Sequence, residues 1–383
     1  MLVPQYKGIN YESKENCFEK CASVKSILLY GDETAIPKPW ITLLVPTYKR
    51  VDLLSQALES ALTQGHCKFM WDILVLDNEP YDGIPNDTEK LIRKLNNKRI
   101  MYYRNSENIR PGDNFNRGFL LARGEYVMML HDDDLLIANA MQRMGNYLTA
   151  YSAIGEKSIG AICASSVQFE YDAEHEVAKA DIPGMNTYLT TQPMDYRVYV
   201  LTQSNVKILS HIGGNVPSNG STYNKKAVID AGGFNEDFGI MGDQILLFNL
   251  MKEYSIYQTI LPLGFYRWGS NSMMKLDSSR QVVQNGFDFR EYVYSKHLLI
   301  GKLFKKCHYK KFTRDVVEQR NRVSRFKINS SLYNDIFNES PSLLEYLFFK
   351  IVSNFYTLYK RVQTNILTKK AVRYMKIEKW SIF

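Results

Sequence analysis

Cysteine is scarce in this 383-residue chain, and the five residues present (Cys17, Cys21, Cys67, Cys163 and Cys307) are odd in number and widely scattered. That argues against a disulfide framework and fits a reducing, cytoplasmic setting. Cys17 and Cys21 have no second Cys/His pair to complete a structural zinc site. No run of 18 or more apolar residues occurs, so no membrane-spanning helix is expected. The opening residues lack the charged-then-apolar pattern of a secretory leader. Internal repeats and low-complexity segments are also missing, which excludes solenoid and linker-like chains. What remains, 45% hydrophobic and 23% charged residues, is the composition of an ordinary folded protein with room for one large domain and an appendage.

The net charge of +8 is unevenly placed. Residues 301–383 hold 18 Lys and Arg against 6 Asp and Glu, while the first 300 hold 30 against 34. A basic tail on a slightly acidic body points to an anionic partner, membrane lipid or nucleic acid. No nucleic-acid recognition module accompanies it, so nucleic acid is not the expected partner.

Residues 1–39 lack clear periodicity and read as a lead-in segment. After them, strand-like and helix-like stretches alternate. Ile41–Val45, Trp71–Leu76, Ile100–Arg104 and Tyr126–Leu130 read as buried strands; Asp52 is placed to cap a helix through Leu62, with further helices at Thr88–Leu95 and Asp113–Ala122. This rhythm predicts an α/β fold with a mostly parallel sheet flanked by helices. Farther on, Ala140–Tyr151 and Asp243–Lys252 read as helices, and Ile159–Glu170 and Ile256–Tyr266 as strands. Residues 171–195 read as a polar loop, and Gly213–Ser221 as a turn-rich loop of the kind that moves at active sites.

Parallel sheets bind ligands beyond the carboxyl ends of their strands. Three polar clusters fall there: Pro46-Thr47-Tyr48-Lys49-Arg50, Asp77-Asn78, and His131-Asp132-Asp133-Asp134. Three adjacent carboxylates repel one another unless a cation joins them, and hard ions such as Mg2+ and Mn2+ take carboxylate and phosphate oxygens. The bland reading is a solvated acidic loop. Asp77-Asn78 alone reads equally well as a turn, Asn108, Asn114 and Asn116 as caps and surface groups, and Asp243 as a helix cap. His131 reads as a hydrogen-bonding partner of a carboxylate or of a ribose, or as a metal ligand.

Taken together these segments resemble the family 2 type of GT-A-fold glycosyltransferases. Val45-Pro46-Thr47-Tyr48-Lys49-Arg50 is similar to that family's first-strand signature. Asn108–Gly118 (NIRPGDNFNRG) resembles its NxGxxxARNxG segment, Gly124-Glu125-Tyr126 with the following MMLHDDD the stretch holding its DXD motif, and Gly232–Glu236 (GGFNE) its GGFDE. The resemblance spans about residues 40–270.

It implies a GT-A catalytic domain over 40–300, after the lead-in 1–39 and before a basic, amphipathic helical region 301–383. It implies transfer of a sugar from a nucleotide-sugar donor, most often uridine-linked, to an acceptor hydroxyl. A lipid-linked glycan in bacterial surface-polysaccharide assembly, such as O-antigen or capsule, is the acceptor it suggests. Asp133 and Asp134 would bind Mn2+ or Mg2+. Pro46, Thr47, Tyr48, Arg50, Asp77, Asn116 and Asp132 would line the donor, and Asp243 would be the base of an inverting displacement. The sequence departs from the pattern where His131 replaces the first aspartate of the DXD, Phe115 a common arginine, Gly242 the glutamate of an ED pair, and Gly269 a common histidine. Those departures keep open a catalytically inactive nucleotide- or sugar-binding protein on the same fold. A nucleotidyltransferase would need a Gly-rich phosphate loop after the first strand, which is absent.

In the tail, Leu343–Tyr359 reads as an amphipathic helix. Lying on an anionic membrane surface through residues 343–379, at the inner face of the cell membrane, and packing on the catalytic domain are both compatible with it.

Overall fold

The computed structural model describes residues 8–172, 177–178, 181–209, 219–268, 276–312 and 340–377. Ser26–Tyr30 forms β1, and the apolar runs Ile41–Thr47, Trp71–Asp77, Ile100–Asn105 and Tyr126–Met129 form β2 to β5. β6 is Leu135–Leu136, β7 Ile159–Asp172, β8 Val177–Ala178, β9 Val198–Leu201, β10 Thr222–Asn224 and β11 Ser255–Trp268. They join in one sheet of order β1-β4-β3-β2-β5-β10-β7-β11-β6, with β8 pairing β7 and β9 pairing β11.

The block β4-β3-β2-β5 is parallel, as the alternation of strands and helices predicts, and β7 pairs β11 in parallel as well. Antiparallel strands are added around it: β1 on one edge, and β10 between β5 and β7. Both faces are covered, which is why β2 and β3 are buried along their whole length and largely apolar. Along β2 and β3 successive side chains divide between two cores: Leu43, Val45, Ile73 and Val75 enter one, Leu44, Leu74 and Leu76 the other. The first core is closed by the helices Val51–Leu62 and Ala140–Ile154, the second by Pro111–Leu121, Lys225–Asp230 and Gly242–Leu250.

Several local expectations change. Asp52 does not cap the helix Val51–Leu62; Arg50 holds the cap position, and Asp52 lies in the first turn, where its charge complements the helix dipole. The segment 171–195 is not all loop: it contains the helix Ile182–Thr191, whose cap Asp181 accepts from Gly184 N at 2.9 Å. Its polar composition concealed that helix. The lead-in contributes β1 and a buried Tyr11 within a cluster with Phe238, Phe289 and Tyr292. Residues 213–218 of the expected mobile loop, and Gly269, lie outside the described residues.

Toward the C-terminus, the helices Leu276–Lys296, Leu298–Phe312 and Leu343–Ile377 follow β11. The last is far longer than the Leu343–Tyr359 expected, and it docks on the sheet domain. Thr364 Oγ1 donates to Val198 O at 2.9 Å, and Ala371 and Met375 sit fully buried in the first core.

Candidate active site

β2 lies at the middle of the parallel block: the chain goes on from it to β3 and β4 on one side, then returns to β5 on the other. Such a reversal leaves a crevice beyond the strand ends. Register shows it opening. β2 pairs with β5 only as far as Leu44 opposite Met129, whereas its pairing with β3 continues to Thr47 opposite Asp77. Pro46 falls where β5 has already diverged, so its missing N–H breaks no ladder bond to that strand.

Thr47 reaches across the crevice: its hydroxyl donates to Asp132 Oδ2 at 2.8 Å. Arg50, at the start of the next helix, donates through one guanidinium nitrogen to Asp132 Oδ1 and Asp133 Oδ2, each at 3.2 Å. The site thus brings together Thr47, Arg50, Asp132 and Asp133. Burial raises the Asp132 carboxyl above its usual range and the charge of Asp133 adds to this, while Arg50 and the Thr47 hydrogen bond oppose it. The two carboxylates share one cation.

Asp134 turns elsewhere. Its Oδ1 accepts from Arg267 N at 2.8 Å, its other oxygen is buried, and burial beside Asp133 drives its pKa well up against the opposing pull of Arg267. Arg267, almost wholly buried, also donates to Asp133 O at 2.7 Å and Gln56 Oε1 at 2.9 Å, and lies over the Phe169 ring. The acidic segment is therefore held from both sides, by β2 through Thr47 and by β11 through Arg267. Nothing in a single sequence marks Arg267 for this duty, because Asp133, Asp134 and Gln56 lie more than 130 positions away.

The remaining expected residues are placed as follows. Tyr48 is exposed at the rim, with Lys49 over its ring. Asp77 is fully buried, and its Oδ2 accepts from Asn86 at 2.8 Å and Tyr102 at 2.9 Å, its Oδ1 from Glu79 N at 2.9 Å. Asn116 is also fully buried; it donates to Phe234 O at 2.8 Å and accepts from Phe234 N at 2.7 Å. Both side chains are wholly buried and hydrogen-bonded within the protein. Phe115 packs edge-on against His131 with ring centroids 5.8 Å apart. Asp243 occupies the first turn of Gly242–Leu250 rather than the cap, which is Met241. Its carboxyl accepts from Gln244 N at 2.7 Å, and burial pushes its pKa up to about 6. Its charge is felt by Tyr223 of β10 and Cys163 of β7, beside β5 in the sheet.

Two further features escaped the sequence. Arg104, buried, donates to Glu79 O, Pro80 O and Ile84 O at 2.7–3.0 Å and so moulds the loop after β3. Asn78 binds Asn105, Asn108 and the Ile109 backbone, and Asn105 binds Asn114, tying the entry of the helix Pro111–Leu121 to the end of β3. The asparagine-rich composition hinted at such a web, but composition alone reads as caps.

Among the described residues, no group of three or more His, Cys, Asp or Glu side chains is arranged around a metal position. The donor set at Asp132 and Asp133 nevertheless suits a hard cation. It consists of two carboxylates already bridged by positive charge, and oxygen ligands of this kind take Mg2+ or Mn2+.

Residues 42–159 match the model of the glycosyl transferase family 2. The chain is 32% identical over 117 residues to an abequosyltransferase of Salmonella typhimurium, covering 30% of this chain and 34% of that one. It is 33% identical over 110 residues to GalNAc(5)-diNAcBac-PP-undecaprenol beta-1,3-glucosyltransferase of Campylobacter jejuni, covering 28% and 33%. Among solved structures, a mannosyltransferase of Pyrobaculum calidifontis in complex with GDP-Man and Mn2+ aligns over 94% of this chain and 93% of its own, with a TM-score of 0.47 and 14% identity. The mostly parallel sheet flanked by helices, with its helical C-terminal extension, is the α/β layout that the sequence predicts. The matched stretches span about a third of the length of the two curated relatives.

Proposed function

We propose that the protein transfers a sugar from a nucleoside-diphosphate sugar to an acceptor hydroxyl on a lipid-linked glycan, with inversion at the anomeric carbon. The observation that carries this reading is the Asp132–Asp133 pair, bridged by Arg50 and clamped by Thr47 at the crevice where the parallel sheet reverses. The relatives support the chemistry, one being named for a glucosyltransferase acting on an undecaprenyl-diphosphate-linked glycan.

Asp133, with Asp132, would hold Mn2+ or Mg2+, which when bound neutralises charge developing on the leaving diphosphate. Arg50, which bridges the two carboxylates, would add positive charge for the same phosphates. Tyr48 offers an exposed ring at the rim for the nucleoside, uridine in our reading. Asp77 and Asn116 act as positioning residues, one through Asn86 and Tyr102 and the other through Phe234. Asp134 and Arg267 keep the acidic segment in place.

Asp243 accepts the proton of the acceptor hydroxyl as that oxygen attacks the anomeric carbon. A hydroxyl is a poor nucleophile, and a positioned base typically contributes 10²–10⁴-fold. A carboxyl lifted to about 6 is better matched to proton abstraction near neutral pH than one of ordinary acidity. With a lipid-linked acceptor, the enzyme works as a peripheral protein at the inner face of the cell membrane.

Calorimetry of UDP binding with and without Mn2+, on the wild type and Asp133→Ala, tests the donor site. Metal-dependent binding lost in the variant is the expected result. Equal binding by both proteins removes Asp133 from the metal site, and no binding of UDP or other nucleoside diphosphates overturns the reading.

A further inference from the structure

The helix Leu343–Ile377 has three kinds of surface. One side is built into the protein: Phe349 packs on Phe304, Tyr356 lies against Asn205, Thr364 binds Val198 O, and Ala371 and Met375 are in the first core. At 100° per residue, the side opposite these residues is centred on Leu344, Ile351, Phe355, Leu358 and Val362. All five are large, apolar and exposed, at 50–79% of their full accessibility. Leu347, Phe348 and Ile366 widen the same stripe. From Leu344 to Ile366 it runs for about 33 Å at the rise of an α-helix. A contiguous apolar surface of that length calls for a covering partner.

Charge decides which. Along the same face the apolar stripe gives way to Lys369, Arg373 and Lys376, all exposed. The whole helix carries seven basic residues and one acidic one, Glu345. A second copy packed in parallel would set these cations against themselves. A copy packed antiparallel would set them beside Leu344 and Phe348, with only Glu345 to answer. An anionic bilayer answers both parts of the face: acyl chains accept the apolar stripe and headgroups accept the cations. No described helix is long and apolar enough to cross the membrane, so the helix lies along it.

We infer that this outward face, from Leu344 to Lys376, is a docking surface for an anionic lipid bilayer, with the inward face holding the catalytic domain against the membrane. Use of a lipid-linked acceptor rests on the function proposed above. The surface itself does not.

The test is flotation of the full chain with neutral phosphatidylcholine vesicles and with vesicles containing 30% phosphatidylglycerol. The wild type is expected to float with the anionic vesicles only. Phe355→Ser/Leu358→Ser/Val362→Ser is expected to lose flotation with an unchanged melting temperature, because these side chains contact solvent. Lys369→Glu/Arg373→Glu/Lys376→Glu is expected to lower the partition coefficient at least ~100-fold, at roughly fivefold for each cation near the surface. Wild type that stays with the soluble fraction, or a serine variant that floats undiminished, overturns the inference. So does a wild-type dimer by light scattering that the serine variant converts to a monomer without any vesicle binding. Flotation needs no nucleotide, so its outcome is independent of UDP binding, which reports on the transferase reading alone.

Discussion

Asp243 illustrates how one side chain couples stability to chemistry. Its carboxyl is raised by burial from 3.8 to about 6 in the folded protein. Between those values the folded chain holds a proton that the unfolded chain has released. Stability from this group therefore falls as pH rises through the window, and above about 6 the full cost is present. Asp243→Asn should raise stability at pH 7.5 by ~1–2 kcal/mol and have little effect at pH 4, as read by urea titration at both values. The same variant should bind UDP normally and lose nearly all transfer. The wild-type rate should climb with pH to a plateau above about 6. Undiminished turnover of the variant would remove Asp243 from the mechanism. Arg267 makes the contrasting case of a buried cation that braces the acidic segment. Arg267→Met leaves the Asp133 carbonyl without its 2.7 Å donor, and should cost ~2–4 kcal/mol in chemical denaturation.

At the scale of elements, the site is set by where helices enter the sheet. Asn116 clamps the helix Pro111–Leu121 to the turn at Gly232-Gly233 by copying a backbone pairing with Phe234. That turn needs glycine twice. Gly232 and Gly233 have φ of +91° and +82°, and a Cβ on Gly233 would stand 2.4 Å from Asn116 Oδ1. Gly233→Ala should destabilise the protein by ~2–3 kcal/mol, checked by the shift of its urea midpoint, because strain and the lost clamp add. Much of this level was legible beforehand: four apolar runs became four parallel strands, and the polar clusters do sit at their ends. The partners were not. Asp77 and Asn116 read as donor contacts by resemblance, yet both are bonded within the protein, Asn116 to a residue 118 positions away. Periodicity reports whether a side chain is buried, and carries no record of which distant backbone it meets.

For the whole molecule, the C-terminal helix joins the sheet domain to its surroundings. Its inward residues are part of the main core, so Met375→Ala should cost ~2–5 kcal/mol and leave a single unfolding transition. If the helix unfolds separately in calorimetry, the shared core is not cooperative. The tail was expected either to pack on the catalytic domain or to face a membrane; the structure shows the packing and leaves one side of the helix uncovered.

The sequence by itself determined the α/β class, the four strands of the parallel block, the acidic segment at the end of the fourth apolar run and the basic, amphipathic tail. These follow from local patterns of polarity, which the chain must satisfy wherever it folds. Only the tertiary structure decided that Arg50 bridges Asp132 and Asp133, that Arg267 holds the segment from behind, and that Asp77 and Asn116 face inward. Those outcomes depend on distant strands and helices meeting in register. That registry is settled by packing of the assembled core and is written in no single stretch of the chain.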